Sequence, residues 1–437
     1  MIIGIVMRII YAIEWQDGIP LHGDPLFFQQ TAAQLAHGNG YTTQFLGRGP
    51  PVATALHPPV FSIVLALLDT LGISSPNAHR IALAFVASGG IVAMGFLGRR
   101  VLNPGVGLIA AGIAALSPLW IQPSGKVLSE SVYLVVIPVV LLTALRCIDR
   151  PSGWRFVAVG LTIGIAALTR GEALSLVVLI GVPLVILASR SWPERTRLGL
   201  VLLAGFIVVV GPWLVRNEVQ LGGLTLSTDS GTTLVGAYNH ATFSPQSPLY
   251  GSFDGNEQFG DAAVLFRYER PPDHAKHWTE LTLNNALGHI GTTYARAHLS
   301  DLPGVVLARE GRLWGVYASG SQLGFDISSD GDGVRSVQTA GQYVNWVLIP
   351  LAISGGVLLF RRSRRDLVIV IAPIVATALS AAVTFGSTRY RALAEPSIAV
   401  LAAVGAFLIV KYVVRVGRRS PTQDRTLHTP RIPEEHI

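Results

Sequence analysis

Cysteine is nearly missing from this 437-residue chain: Cys147 stands alone, so no intrachain disulfide can form and no Cys-x-x-Cys metal or redox site exists. Charge is scarce as well. Only 14% of residues are charged, against 50% hydrophobic, and the mean hydropathy is +0.49. So little charge cannot cover the apolar surface of one water-soluble core, which excludes an ordinary soluble domain. Glycine-rich nucleotide loops are lacking too: no GxxxxGK[ST] or GxGxxG follows a strand pattern. A net charge of +7 and a pI near 9.7 would suggest nucleic acid in a soluble protein. In a membrane chain they raise another question, which side of the bilayer carries the basic residues, and no nucleic-acid partner is expected.

What the chain has is apolar runs. A bilayer span takes about 20 apolar residues. Ten runs, some of them shorter, are read as spans, near residues 1–13, 79–98, 104–121, 131–147, 156–169, 173–189, 198–214, 342–360, 366–386 and 393–414. The first is short, and is expected either to continue to Trp15 or to follow an upstream start. With the N-terminus inside, the turns at Arg99/Arg100, Arg146–Arg155, Arg190–Arg197 and Arg361–Arg365 and the tail from Lys411 hold 18 of the 33 Lys and Arg. This bias predicts that both termini are cytoplasmic.

The predicted class is an all-α polytopic membrane protein. Its expected divisions are a transmembrane module at 1–215 that includes an outer loop at 14–78, an outer segment at 216–341, C-terminal helices at 342–414 and a disordered tail at 415–437. One apolar run is not read as a span: "HPPVFSIVLALLDTLG", residues 57–72, would invert every later arginine cluster, and is expected to lie in the outer interface. "DISSDGDG", residues 326–333, lacks calcium-loop spacing and is read as a polar turn.

On this topology the outer surface collects unusual charges. "LHGDPLFFQQTAAQLAHGNGY", residues 21–41, opens a short helix at Asp24. Aspartate before proline is a helix start, yet a carboxylate near hydrocarbon is costly and is usually kept for function. The two readings stand level. Glu130 in "GKVLSESVYLVV" either caps a helix with Ser129 or joins Asp24 as a second acid, a pair suited to a divalent ion or to base and orienter roles. His57 lies on that surface too; a lone histidine there is more often an interfacial hydrogen bonder than a ligand. Arg170 and Glu172 in "ALTRGEALSL", Arg216 in "PWLVRNEVQLGG", Arg309 and Arg312 in "VVLAREGRLWG", and Arg389 and Arg391, flanking Tyr390, in "FGSTRYRALAEP" also fall outside. Any one of them can be a snorkelling side chain; several together suit a phosphate, which guanidinium groups bind bidentately.

The order of these blocks resembles the GT-C membrane glycosyltransferases, within them the branch of the protein O-mannosyltransferases and lipid A aminoarabinose transferases. An acid after the first span, the helix ending "GNGY", the "HPPVF" helix, "LSE" at 128–130, "LTRGEAL" at 168–174, "PWLVRN" at 212–217 and "RYRALAEP" at 389–396 carry the likeness over nearly the whole chain. The resemblance implies a GT-C fold in the plasma membrane and a polyprenyl-phosphate-linked sugar as donor. It further implies a glycan, lipid or protein hydroxyl as acceptor, and transfer with inversion at the outer face. Carried over, Asp24 is the general base, Glu130 orients the acceptor or binds a metal with Asp24, and the outer arginines, Arg389 and Arg391 first, hold the lipid phosphate. No cofactor is certain beyond that possible divalent ion. The rival reading is a polyprenyl-lipid flippase or transporter, which would be expected to place its charges near mid-bilayer in related halves.

Overall fold

The computed structural model describes residues 1–44, 50–255, 279–328 and 333–417. After α1 (Ile2–Trp15) comes a loop holding α2 (Asp24–Ala36), a short antiparallel pair β1 (Thr42–Thr43) and β2 (Val52–Ala53), and α3 (Val60–Thr70). A bundle follows: α4 (Pro76–Val101), α5 (Pro104–Leu116), α6 (Pro118–Gly125), α7 (Glu130–Asp149), α8 (Gly153–Thr169), a 3-10 turn at Gly171–Ser175, α9 (Leu176–Leu179), α10 (Gly181–Ala188) and α11 (Trp192–Leu221). A long connection contains α12 (Ser230–Ala237), α13 (His240–Phe243), α14 (Glu280–Ala297), α15 (Leu302–Leu313) and α16 (Ser319–Ser328). The chain returns through α17 (Arg335–Arg362), α18 (Arg364–Val383), a 3-10 helix at Thr388–Leu393 and α19 (Glu395–Gly417).

The runs read as spans are mainly helical, but two of the ten are broken, 104–121 at Ser117 and 173–189 by a 3-10 turn and a break at Ile180. Among the described residues seven helical stretches are long and apolar enough to cross a membrane, 171–188 counting as one, and α5 with α6, bent by 47°, makes an eighth if taken together. α1 and α8 are shorter, at 14 and 17 residues. The architecture is that of an all-α multi-pass membrane protein. The "HPPVF" run folds as α3, which buries Phe61 and Leu65 and leaves Ile63, Leu67 and, just past its end, Leu71 exposed. The tail from 418 onward lies outside the described residues.

Local chemistry sets the breaks. Proline opens α4, α5 and α6 at the position where a missing N–H costs nothing, and Ser75 Oγ and Asn103 Oδ1 accept from the backbone N–H groups of Ala78 and Val106 at 3.2 and 3.0 Å. Lipid gives helices little reason to associate, so small residues let their backbones meet. A Cβ on Gly160 of α8 would stand 2.0 Å from Leu202 O of α11, and one on Gly405 of α19 would stand 2.2 Å from Leu351 O of α17. At the arginine-rich end, Arg100 pairs with Asp149 at 2.5 Å and with Asp366 at 3.2 Å, tying α4, α7 and α18. The opposite end gathers α2, the start of α7, the 170–172 turn and the 388–393 turn.

Candidate active site

That opposite end carries a chain of alternating charges. Asp24 is the first residue of α2, but its carboxylate does not cap the helix: the N-cap is Gly23, whose φ of +58° suits glycine, and no side-chain cap bond forms there. The two oxygens look elsewhere. Oδ1 lies 3.0 Å from His57 Nε2 and Oδ2 lies 2.9 Å from Arg389 Nη1. Arg389 Nε donates to Glu130 Oε1, and Nη2 reaches Glu130 Oε2 at 3.5 Å. Arg170 Nη1 donates to the same Glu130 Oε1 at 2.6 Å, while its Nη2 donates to Glu172 at 2.8 Å. His57, Asp24, Arg389, Glu130, Arg170 and Glu172 thus join segments far apart in sequence. Ser129, expected as a possible cap partner, makes no cap bond; its hydroxyl donates to Glu130 Oε2 at 3.4 Å.

Burial separates the two acids. The Glu130 side chain is 2% exposed and held by two guanidinium groups, whereas Asp24 is 28% exposed and open to a ligand. Burial opposes ionisation of Asp24, but His57 and Arg389 outweigh it and hold the carboxyl well below the usual range. Burial likewise opposes charge on His57, and Asp24, with Asp229 adding to it, raises the imidazole above its ordinary value. Asp229 itself is raised, by burial first and by the Asp24 charge as well.

The His57 ring is fixed from both sides. Phe27 and Phe28 of α2 meet it with ring centroids at 5.1 Å, and its carbonyl accepts from Tyr41 Oη at 3.0 Å. The segment before it is clamped by the long connection: Thr228 N donates to Ala55 O at 2.9 Å, Ser227 Oγ to Leu56 O at 2.5 Å, and Glu280 Oε1 accepts from Ala55 N at 2.8 Å. Arg216 belongs to this clamp, donating to Thr54 O and Tyr41 O at 2.6 Å each, and does not reach the charge chain.

The other expected arginines divide. Arg389 enters the site, but Arg391 is buried away from it, 3.3 Å from Glu395 and donating to Leu313 O at 3.2 Å. The cause is the 3-10 turn, in which residues two apart point in different directions. Tyr390 packs on Phe385 at 4.9 Å, close enough to Glu172 and Asp229 that, after burial, their charges help to raise its hydroxyl. Arg309 is spent on Ala237 O, Ala382 O and Tyr238 Oη, and Arg312 on Tyr250 O and Pro248 O. Both staple the long connection together.

A cavity of about 80 Å³ shares Glu130 and Arg389 with the charge chain, and Leu119, Lys126, Asp326 and Thr388 add to its wall. Lys126 is buried there, and Asp326 accepts from Thr388 Oγ1 at 2.5 Å. Sequence reasoning overlooked both residues. Lys126 carries a faint signal as one of three lysines in the chain, placed in a turn at this end; Asp326 carries none, having been read as part of a polar turn.

The possible metal on Asp24 and Glu130 does not fit this arrangement. Arg389 already stands between the two carboxylates, and among the described residues no group of three His, Cys, Asp or Glu side chains is disposed to hold an ion.

Fold and site define a multi-pass membrane protein with an ionic site at one end of its helical bundle. Residues 56–215 match the family described as dolichyl-phosphate-mannose-protein mannosyltransferase. The fold is similar to that of the archaeal oligosaccharyltransferase AglB from Archaeoglobus fulgidus, solved with an inhibitory peptide and a dolichol-phosphate: TM-score 0.53 at 13% identity, over 95% of this chain and 50% of that one. A second structure of that oligosaccharyltransferase, with Zn and sulfate, gives a TM-score of 0.54 at 13% identity over the same shares. ArnT from Cupriavidus metallidurans bound to undecaprenyl phosphate gives 0.43 at 14% identity, over 97% of this chain and 81% of that one. The chain spans about half the length of the oligosaccharyltransferase chains it matches. No curated protein matches its sequence. The family match covers residues 56–215, and the likeness to the solved structures is one of fold.

Proposed function

We propose that the protein transfers a hexosyl or pentosyl group from a polyprenyl-phosphate carrier to an acceptor hydroxyl, with inversion, at the extracytoplasmic face of the plasma membrane. One observation carries the reading: a reachable carboxylate, Asp24, touches the guanidinium of Arg389 at 2.9 Å, at the bundle end opposite the arginine clusters. That arrangement sets a base beside an anion-binding group. The positive-inside rule supports cytoplasmic termini and an outward-facing site.

In the proposed step the acceptor oxygen attacks the anomeric carbon and its proton passes to Asp24. The new carbon–oxygen bond forms as the bond to the phosphate oxygen breaks, and the electron pair leaves on the polyprenyl phosphate. His57 keeps Oδ1 occupied and so aims Oδ2 at the acceptor. The growing charge on the leaving phosphate falls to Arg389 and to Lys126 across the shared cavity. Glu130 and Arg170 hold Arg389 in place and take no proton. No metal step is included.

Arg389 has two duties in this account. At rest it quiets Asp24, because a carboxylate between a guanidinium and an imidazole is a weak base. An arriving phosphate competes for its N–H groups, and the contact with half-buried Asp24 is the one that yields, since Glu130 is buried and doubly held. Donor binding therefore releases the base.

The test is turnover. The protein in liposomes, supplied with a panel of radiolabelled polyprenyl-phosphate sugars and a cell-envelope acceptor fraction, is expected to move label from lipid to acceptor with one of them. Leaflet exchange of the lipids without any product supports the flippase reading instead.

A further inference from the structure

Between α15 and α16 the chain makes a turn that displays two apolar side chains. Val316 is 75% exposed and Tyr317 is 41% exposed. Gly315 and Ala318 bracket them with φ of +72° and +47°, left-handed conformations that reverse the chain; Val316 is the more exposed of the two, and the Tyr317 ring lies 5.8 Å from the Arg312 guanidinium. The turn is anchored. Gln342 Nε2 and Trp346 Nε1 both donate to Gly315 O, at 3.2 and 3.1 Å, and Asn345 Nδ2 donates to Trp314 O at 3.3 Å.

These partners fix the depth of the turn. All belong to α17, whose apolar stretch from Tyr343 to Phe360 is 18 residues long and so about 27 Å, close to the roughly 30 Å of bilayer hydrocarbon. Tyr343 and Trp346, both exposed, stand at the start of that stretch, where aromatic belts meet the headgroups. Val347 and Ile353 continue the exposed apolar flank. Val316 and Tyr317 are therefore held beside the border of a lipid-facing surface, on a turn, Trp314–Ala318, without one charged residue.

We infer that the 314–318 turn inserts into the bilayer, its Val316 and Tyr317 covered by the acyl chains of the leaflet on the site side. Lipid is the occupant because the apolar surface of the turn continues that of a spanning helix. From the turn α16 runs to Asp326 in the wall of the cavity shared with Arg389. The anchor thus sets that wall at the level of the leaflet, where the phosphate of a lipid carrier lies; this last clause rests on the proposed donor.

Cys147 is buried, so Val316→Cys offers the accessible thiol for a nitroxide label. In phosphatidylcholine liposomes the label is expected to meet dissolved oxygen far more than a water-soluble nickel chelate, as does one at Val347→Cys. A label at 316 that meets the chelate as freely as one in water overturns the inference. For the donor clause, Val316→Asp is expected to weaken binding of a long-chain polyprenyl phosphate in liposomes by about tenfold while leaving geranyl phosphate in detergent unaffected. Equal loss of both refutes that clause, and failure of wild type to bind the long-chain lipid refutes the proposed function while the nitroxide result stands.

Discussion

Arg389 Nη1 lies 2.9 Å from Asp24 Oδ2 although 365 positions separate them in sequence, and through Nε the same guanidinium also grips Glu130. One planar group thereby couples the open acid to the buried one. A lysine cannot do this, because its ammonium is a point charge without the fork.

Arg389→Lys is accordingly expected to raise the donor Michaelis constant by about tenfold or more, the loss of one charge-assisted contact. Arg391→Lys should lower thermal stability and leave that constant unchanged in the folded fraction, since Arg391 is spent on Glu395 and Leu313 O. Steady-state kinetics on the two variants side by side decides the matter: equal changes would remove Arg389 from the phosphate.

Glu130→Gln removes the buried anion shared by two half-buried guanidinium groups, Arg170 and Arg389, each of which keeps one other acid. Removing one partner of a fully buried ion pair costs about 3–5 kcal/mol, and here the remaining acids make the loss smaller. The variant is expected to unfold at a markedly lower temperature in detergent than wild type, whereas Glu172→Gln, which leaves Arg170 still paired with Glu130, should lose less.

The pH dependence follows from the Asp24–His57 pair. His57 is raised in the folded protein, so its contribution to stability is complete below the ordinary histidine value of 6.5 and is lost as pH rises through the raised one. The stability gap between wild type and His57→Gln should therefore be widest under mildly acidic conditions and shrink in alkali. Asp24 is depressed and stays ionised across that window. If a phosphate draws Arg389 off, the carboxyl rises, and the acid limb of kcat should lie at higher pH than that of kcat/KM. Coincident limbs would contradict the release of the base by donor.

Much of this was legible in the chain. Hydropathy located the long helices of the bundle, because a span must be apolar along its whole length and its polar turns interrupt it; the breaks at Ser117 and Ile180 fall inside apolar runs and left no such mark. The sidedness of arginine assembled Asp24, Glu130, Arg170 and Arg389 at one end before any distance was known. The pairing itself was hidden, since ion pairs between residues hundreds of positions apart leave no local pattern. Arg391 was misleading for a local reason: two arginines two residues apart look equivalent until a 3-10 turn directs one into the site and the other into the core. Arg216, Arg309 and Arg312 looked like anion binders because sequence registers their charge; their guanidinium groups are in fact consumed by backbone carbonyls.

The most direct test is transfer by Asp24→Asn in liposomes with a polyprenyl-phosphate sugar that wild type turns over. A positioned base contributes about 10² to 10⁴ in rate. The variant should lose kcat by that factor while still binding polyprenyl phosphate and unfolding as a single species. Transfer at the wild-type rate would contradict the assignment of Asp24 as the base.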